Sequence, residues 1–283
     1  MTTAAKDQFI LGALGLVPQN LLSRAVGVAA HARLPKPLAQ LSIRAFARAY
    51  GIDLTESAEP VSAYDSIGDF FTRRLRTGAL PIDRRPGLAV SPADGRLFNG
   101  GKLTGGTLIQ AKGRRYRVDD LLRNSREADR FRNGSWITVY LSPRDYHRVH
   151  HPAEGTVTAA RYVPGHLWPV NASGVANIDD LFCVNERLIT YVDAPIGPVA
   201  VVMVGATSVG HITVAYDRQI ETNRGGTGML HTFDPPVRVA RGDELGVFHL
   251  GSTAVVLFGD PDVRIEPFEP HQPVRMGEVV ARK

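Results

Sequence analysis

From about residue 88 onward the chain is a succession of short apolar, β-branched segments broken by glycine and proline, which limits its fold more than any other feature. Residues 106–110, 135–141, 155–163, 187–192, 199–204, 212–216, 237–239 and 253–258 each have strand length and composition, with turn residues between them. Parallel neighbours would need crossovers of a dozen or more residues, usually helical, and no helical period of that length lies between these segments. The pattern predicts an α+β fold: a β-rich, mainly antiparallel domain over residues 61–283, with amphipathic helices N-terminal to it. A chain of 283 residues buries enough surface to need no disulfide scaffold. Its single cysteine, Cys183, excludes an internal disulfide and any multi-cysteine metal site. Within the apolar run Leu181-Phe182-Cys183-Val184 that thiol reads as buried filler.

Residues 1–60 have a different texture. Phe9, Ile10, Ala13, Leu14 and Val17 share one helical face, closed by Pro18. After Pro35-Lys36-Pro37, a second face gathers Ile43, Phe46, Ala47 and Tyr50, with Arg44 and Arg48 beside it. In the first fifty residues six basic side chains stand against Asp7 alone, a net charge equal to the +5 of the whole chain. The remainder is close to neutral, which disfavours a nucleic-acid partner and directs attention to a basic segment facing an anionic surface. The apolar stretch 9–17 is shorter than the about 20 residues needed to span a bilayer, and it lacks a signal-peptide cleavage site. Two readings stay open: helices lying in a membrane interface, or helices packed by the same faces onto the protein. A further short helix is predicted over 66–75.

Reactive side chains concentrate in three turn-like places: Ser91-Pro92-Ala93-Asp94-Gly95, Tyr146-His147-Arg148-Val149-His150-His151-Pro152, and Leu250-Gly251-Ser252-Thr253. An Asp between Pro and Gly is an ordinary turn former. The histidines invite a zinc reading, but no third ligand is evident and no cysteine is near. Gly-Ser-Thr is not the Gly-x-Ser-x-Gly elbow of α/β-hydrolases. Together an Asp, a His and a Ser in separate turns are the parts of an activated-serine system. His231, His249 and His271 read as surface or turn groups, and His151 as a turn residue beside Pro152.

These three segments resemble those of the phosphatidylserine decarboxylases, and weaker echoes lie between them: Phe70-Phe71-Thr72-Arg73, Gln110-Ala111-Lys112-Gly113, Pro164-Gly165-His166-Leu167-Trp168, Asn185-Glu186-Arg187, Val204-Gly205-Ala206-Thr207-Ser208-Val209-Gly210 and Gly242-Asp243-Glu244-Leu245-Gly246-Val247-Phe248. The resemblance implies a self-cleaving proenzyme in which Asp94 holds His150 and His150 activates Ser252. Ser252 then attacks the carbonyl of Gly251, and the chain divides into residues 1–251 and 252–283. The new terminus carries a pyruvoyl group made from Ser252, an electron sink that does the work of pyridoxal elsewhere. The first motif histidine, His147, is implied in decarboxylation. The implied substrate is phosphatidylserine in a membrane, the product phosphatidylethanolamine, and the location peripheral on the cytoplasmic face. No metal is implied, and the oligomeric state is left open, a homodimer included. Two other classes compete: a serine hydrolase using Asp94, His150 and Ser252 on an external ester, and a non-processing lipid-binding module.

Overall fold

The computed structural model describes residues 19–110, 114–207, 211–222, 227–249 and 252–283. The helical face over 9–17 and the Gly251 side of the cleavage site lie outside the described residues.

Eight strands form the main sheet, in the order Met229–Val239, Gly155–Val163, Arg187–Ala194, Gly197–Val204, Thr253–Phe258, Ser135–Tyr140, Gly95–Lys102 and Gln272–Val274. Every neighbouring pair is antiparallel, as the absence of crossover helices in the sequence requires. The α+β, mainly antiparallel expectation is borne out. Thr253–Phe258 lies at the centre. All six of its side chains are buried, and it pairs along its whole length with Ser135–Tyr140 on one edge and Gly197–Val204 on the other. An unbroken apolar run without alternation is what a strand buried on both faces looks like. Each such Val or Leu contributes roughly 1.5–3 kcal/mol through burial.

A smaller sheet, Ile212–Val214, Glu244–Phe248 and Arg148–His150, stands beside the main one. Its strand Arg148–His150 lies within the second motif, where the sequence shows only a turn. Leu88–Val90, Val279–Arg282 and Arg264–Ile265 make a third sheet. These strands are two to five residues long, too short to print a period of their own.

At the N-terminal side, Gln19–Ala30 and Lys36–Tyr50 are helical. The second carries Pro37 in its first turn, where a missing N–H costs nothing. It ends at Gly51, whose φ of 68° is left-handed and whose N–H donates to Ala47 O. Ala39, Ile43 and Ala47 face inward, and the last two pack with Phe70 in a cluster separate from the main core. The Ile43–Ala47 face therefore packs on the protein. The large apolar side chains left exposed on this helix are Leu38, Leu41 and Tyr50, with Leu34 just before it and Leu21 and Val28 on its predecessor. The helix predicted over 66–75 is shorter, Ile67–Phe71, capped by the Ser66 hydroxyl accepting from Asp69 N.

Candidate active site

Strand register brings the three motifs together. Tyr140 pairs with Arg96 on one side and Thr253 on the other, so Asp94, Leu141 and Ser252 all sit at one end of three adjacent strands. Leu141 N donates to Ser252 O at 2.8 Å, continuing the ladder one residue beyond the strands. From Leu141 the chain turns through Ser142–Asp145 and enters the small sheet at Arg148–His150. His150 N donates to Pro92 O at 2.7 Å, fastening the histidine motif to the Asp94 motif by its backbone.

Ser252 is fully buried, and its hydroxyl has no hydrogen-bond partner. A buried unsatisfied hydroxyl costs about 1–3 kcal/mol, so a native one asks for a role. The residue that would become the pyruvoyl group thus presents an orphaned polar atom immediately before the central strand, and the position fits that group.

His147 is also fully buried. Its Nδ1 donates to Asp145 O at 2.7 Å, leaving Nε2 without a partner, and the Phe71 ring lies 3.9 Å away, centroid to centroid. Burial drives its pKa down to about 3, with the Arg73 guanidinium acting in the same direction. It is a neutral imidazole at physiological pH, able to accept a proton at Nε2.

His150 is held at both nitrogens. Nδ1 lies 2.8 Å from Gly242 O, which only accepts, so Nδ1 carries the hydrogen. Nε2 is then the acceptor, and the Tyr146 hydroxyl donates to it at 3.1 Å. Gly242 has φ of 84°, and a Cβ there would meet Ile82 Cδ1 at 2.1 Å, so only glycine delivers that carbonyl. Burial lowers the His150 pKa. Asp94 does not share a hydrogen bond with His150. Its Oδ1 accepts from Met276 N at 2.7 Å, and burial raises its carboxyl to about 6. Asp94 and Tyr146 line one cavity of about 300 Å³, together with Arg73, Asp145, Glu56 and Arg275.

Sequence reasoning missed Tyr146 and Gly242 as site residues, although both stand inside the quoted motifs. A hydroxyl four residues before a histidine was the available signal. His151, read as a turn residue, is fully buried with both ring nitrogens unpartnered. His249, read as a surface group, is half-buried and stacks on His211 at 4.2 Å, with His31 6.1 Å away. Among the described residues no group of three His, Cys, Asp or Glu is arranged to hold a metal ion. Cys183 is half-buried with its thiol pushed up to about 12, consistent with an inert filler. Arg187, in the Asn185-Glu186-Arg187 echo, serves the scaffold: its guanidinium donates to the carbonyls of Leu121, Cys183, Asn185 and Asp120.

Comparison with known proteins identifies the family. Residues 67–282 match the family model described as phosphatidylserine decarboxylase. The phosphatidylserine decarboxylase proenzyme of Myxococcus xanthus (strain DK1622) is 45% identical over 252 residues, covering 89% of this chain and 90% of that protein. The proenzyme of the same name from Anaeromyxobacter sp. (strain K) is 44% identical over 275 residues, 96% of this chain and 97% of that one. That from Bordetella petrii is 40% identical over 286 residues, 98% of each. With its motifs gathered at one strand end and matched along nearly its whole length, the chain belongs to the phosphatidylserine decarboxylase family.

Proposed function

We propose that this chain is a self-cleaving proenzyme that decarboxylates phosphatidylserine to phosphatidylethanolamine and carbon dioxide, using a pyruvoyl group made from Ser252. The observation that carries this reading is the buried, unpartnered Ser252 hydroxyl, next in sequence to Gly251 and at the strand end that also holds Asp94 and the histidine motif. A serine with no solvent exposure suits attack on its own upstream peptide bond and not on an external ester, so the hydrolase reading is disfavoured.

In self-cleavage His150 Nε2 takes the Ser252 Oγ proton as oxygen bonds to the Gly251 carbonyl carbon. The Gly251–Ser252 C–N bond breaks, and the proton passes to the Ser252 nitrogen, leaving an ester. Loss of the Ser252 Cα proton and of the Gly251 carboxylate from Cβ gives an enamine. Tautomerisation and hydrolysis by one water release ammonia and leave the pyruvoyl terminus. Asp94, at the same strand end, is the acidic member of the set. Residues 252–283 stay in place because Thr253–Phe258 is paired on both edges.

The pyruvoyl group, once made, supplies an electron sink for the pair left by departing carbon dioxide. His147 is the residue assigned to the decarboxylation phase; its neutral ring with an unpartnered Nε2 supports that reading as a proton acceptor there. Phe71 and the sheet exclude water around it.

Residues 1–60 would form a membrane-associating segment and 61–283 the catalytic unit. Exposed Leu21, Val28, Leu34, Leu38 and Leu41 stand among Arg24, Arg33, Lys36, Arg44 and Arg48, a combination suited to an anionic lipid interface on the cytoplasmic face. Among the described residues no helix is long and apolar enough to cross a membrane.

Intact mass under denaturing conditions tests the reading. Two chains meeting at Gly251–Ser252, the smaller one blocked at its N-terminus and reactive toward a hydrazide, are expected. A single stable species at 30.7 kDa that persists with phosphatidylserine vesicles would remove the mechanism.

A further inference from the structure

The nitrogen of His150 that self-cleavage requires is already occupied. Gly242 O takes the Nδ1 hydrogen at 2.8 Å, so the only lone pair on the ring is at Nε2, and the Tyr146 hydroxyl donates to it at 3.1 Å. The two rings lie 5.6 Å apart at an interplanar angle of 30°. Tyr146 is only 5% exposed, packed with Leu80 and Met276 in a cluster of its own, so the hydroxyl is directed at His150 by packing. Ser252 Oγ, the group that must reach the same lone pair, has no partner.

We propose that Tyr146 is a positioning residue for self-cleavage: its hydroxyl competes with that of Ser252 for His150 Nε2 and holds the uncleaved chain in a resting arrangement. This rests on the assignment of His150 as the base for Ser252. Tyr146 and Asp94 line the same cavity of about 300 Å³, so the hydroxyl has space and a carboxylate acceptor to turn toward when it leaves Nε2. In this arrangement Asp94 acts on His150 by taking Tyr146 away from it, which accounts for an aspartate at this strand end with no hydrogen bond to the imidazole.

The charged and titratable groups facing His150 from the packed elements are Glu244, Arg148 and Arg74, which are ion-paired to one another, and His151. Replacing Tyr146 by Phe changes none of them. It removes a donor that favours the neutral imidazole, so the His150 pKa rises and the acid limb of the cleavage rate moves to higher pH. On the plateau the rate rises about fivefold, the factor that one neutral hydrogen bond of ordinary net strength corresponds to.

The test is the rate of Gly251–Ser252 cleavage, followed by pulse-chase in cell-free translation of the full chain across pH 5 to 8. Tyr146→Phe is expected to cleave faster, with its acid limb displaced upward. A 3,5-difluorotyrosine at position 146, a stronger donor of the same shape, is expected to cleave more slowly. It also guards against a folding defect in the Phe variant. Asp94→Asn is expected to cost less in the Tyr146→Phe background than alone. His150→Gln separates the two levels: cleavage at the normal rate there would sink the base assignment itself. If His150→Gln is inert while Tyr146→Phe and the fluorinated variant keep the wild-type rate and acid limb, the role of Tyr146 is overturned and that of His150 stands. A slower Tyr146→Phe with an unmoved limb would also overturn it, leaving only a packing role.

Discussion

In the Thr253–Phe258 strand all six side chains are buried and both edges are hydrogen-bonded, whereas the Lys36–Tyr50 helix buries Ala39, Ile43 and Ala47 and leaves Leu38 and Leu41 52% and 66% exposed. The strand has spent its apolar surface inside the molecule. The helix keeps a surplus, set beside Arg44 and Arg48. A region of the first kind holds the chain together through a covalent break, and a region of the second kind is free to engage an outside surface. Each half of that contrast can be broken separately.

The largest effect concerns the first residue before the strand. Ser252→Ala is expected to abolish cleavage, giving one species at 30.7 kDa under denaturing conditions, where the wild type gives two. The two wild-type pieces should nevertheless elute together from a native sizing column. Separation without denaturant would show that the central strand does not retain residues 252–283.

Next is the strand's own packing. Leu257→Ala, in the uncleavable Ser252→Ala background, removes a fully buried side chain, and a loss of about 2–5 kcal/mol is expected from urea unfolding. Leu41→Ala in the same background should leave stability nearly unchanged, since that side chain is mostly exposed. Equal losses at the two positions would erase the contrast.

The acid at the strand end has a smaller, pH-dependent effect. Burial raises the Asp94 carboxyl to about 6 in the folded chain, against 3.8 in the unfolded one. The folded state therefore holds the proton more tightly. Its contribution to stability is fully present below pH 3.8 and is lost as pH rises through about 6. Asp94→Asn does not titrate. Its stability relative to the parent should improve by on the order of 2 kcal/mol between pH 4 and pH 7. A pH-independent difference would mean that Asp94 is not desolvated.

The smallest change is expected on the helix. Leu38→Ser with Leu41→Ser should weaken binding to vesicles containing phosphatidylserine by about fivefold or more in a flotation assay. Thermal midpoint and cleavage should be unaffected. Binding that survives both changes, and also survives high salt, would favour the other reading of the N-terminal segment.

Much of the site was legible from residue types. Asp94, His147, His150 and Ser252 lie in segments whose order along the chain carries the family resemblance, and strand register gathers those segments at one end of the sheet. The hydrogen bonds at His150 were not legible. Gly242 is ninety-two residues away and reaches the imidazole through a backbone carbonyl, which has no residue-type signature. Likewise Asp94 meets the N–H of Met276, 182 positions later. Burial of His151 was also hidden, because a histidine next to proline has the same local pattern on a surface turn as beneath one.

The sequence by itself determined where most strands of the main sheet lie, because short β-branched runs bounded by glycine and proline suit a pleated, half-buried backbone. It also pointed to antiparallel pairing, since no long helical period of the kind a parallel crossover uses lies between these strands. Only the tertiary structure decided which apolar face of the Lys36–Tyr50 helix turns inward, as periodicity defines faces but not what lies opposite them. It alone decided that His150 is held by Gly242 and Tyr146, because hydrogen bonds across ninety residues depend on register and on a left-handed glycine, and neither is a property of local composition.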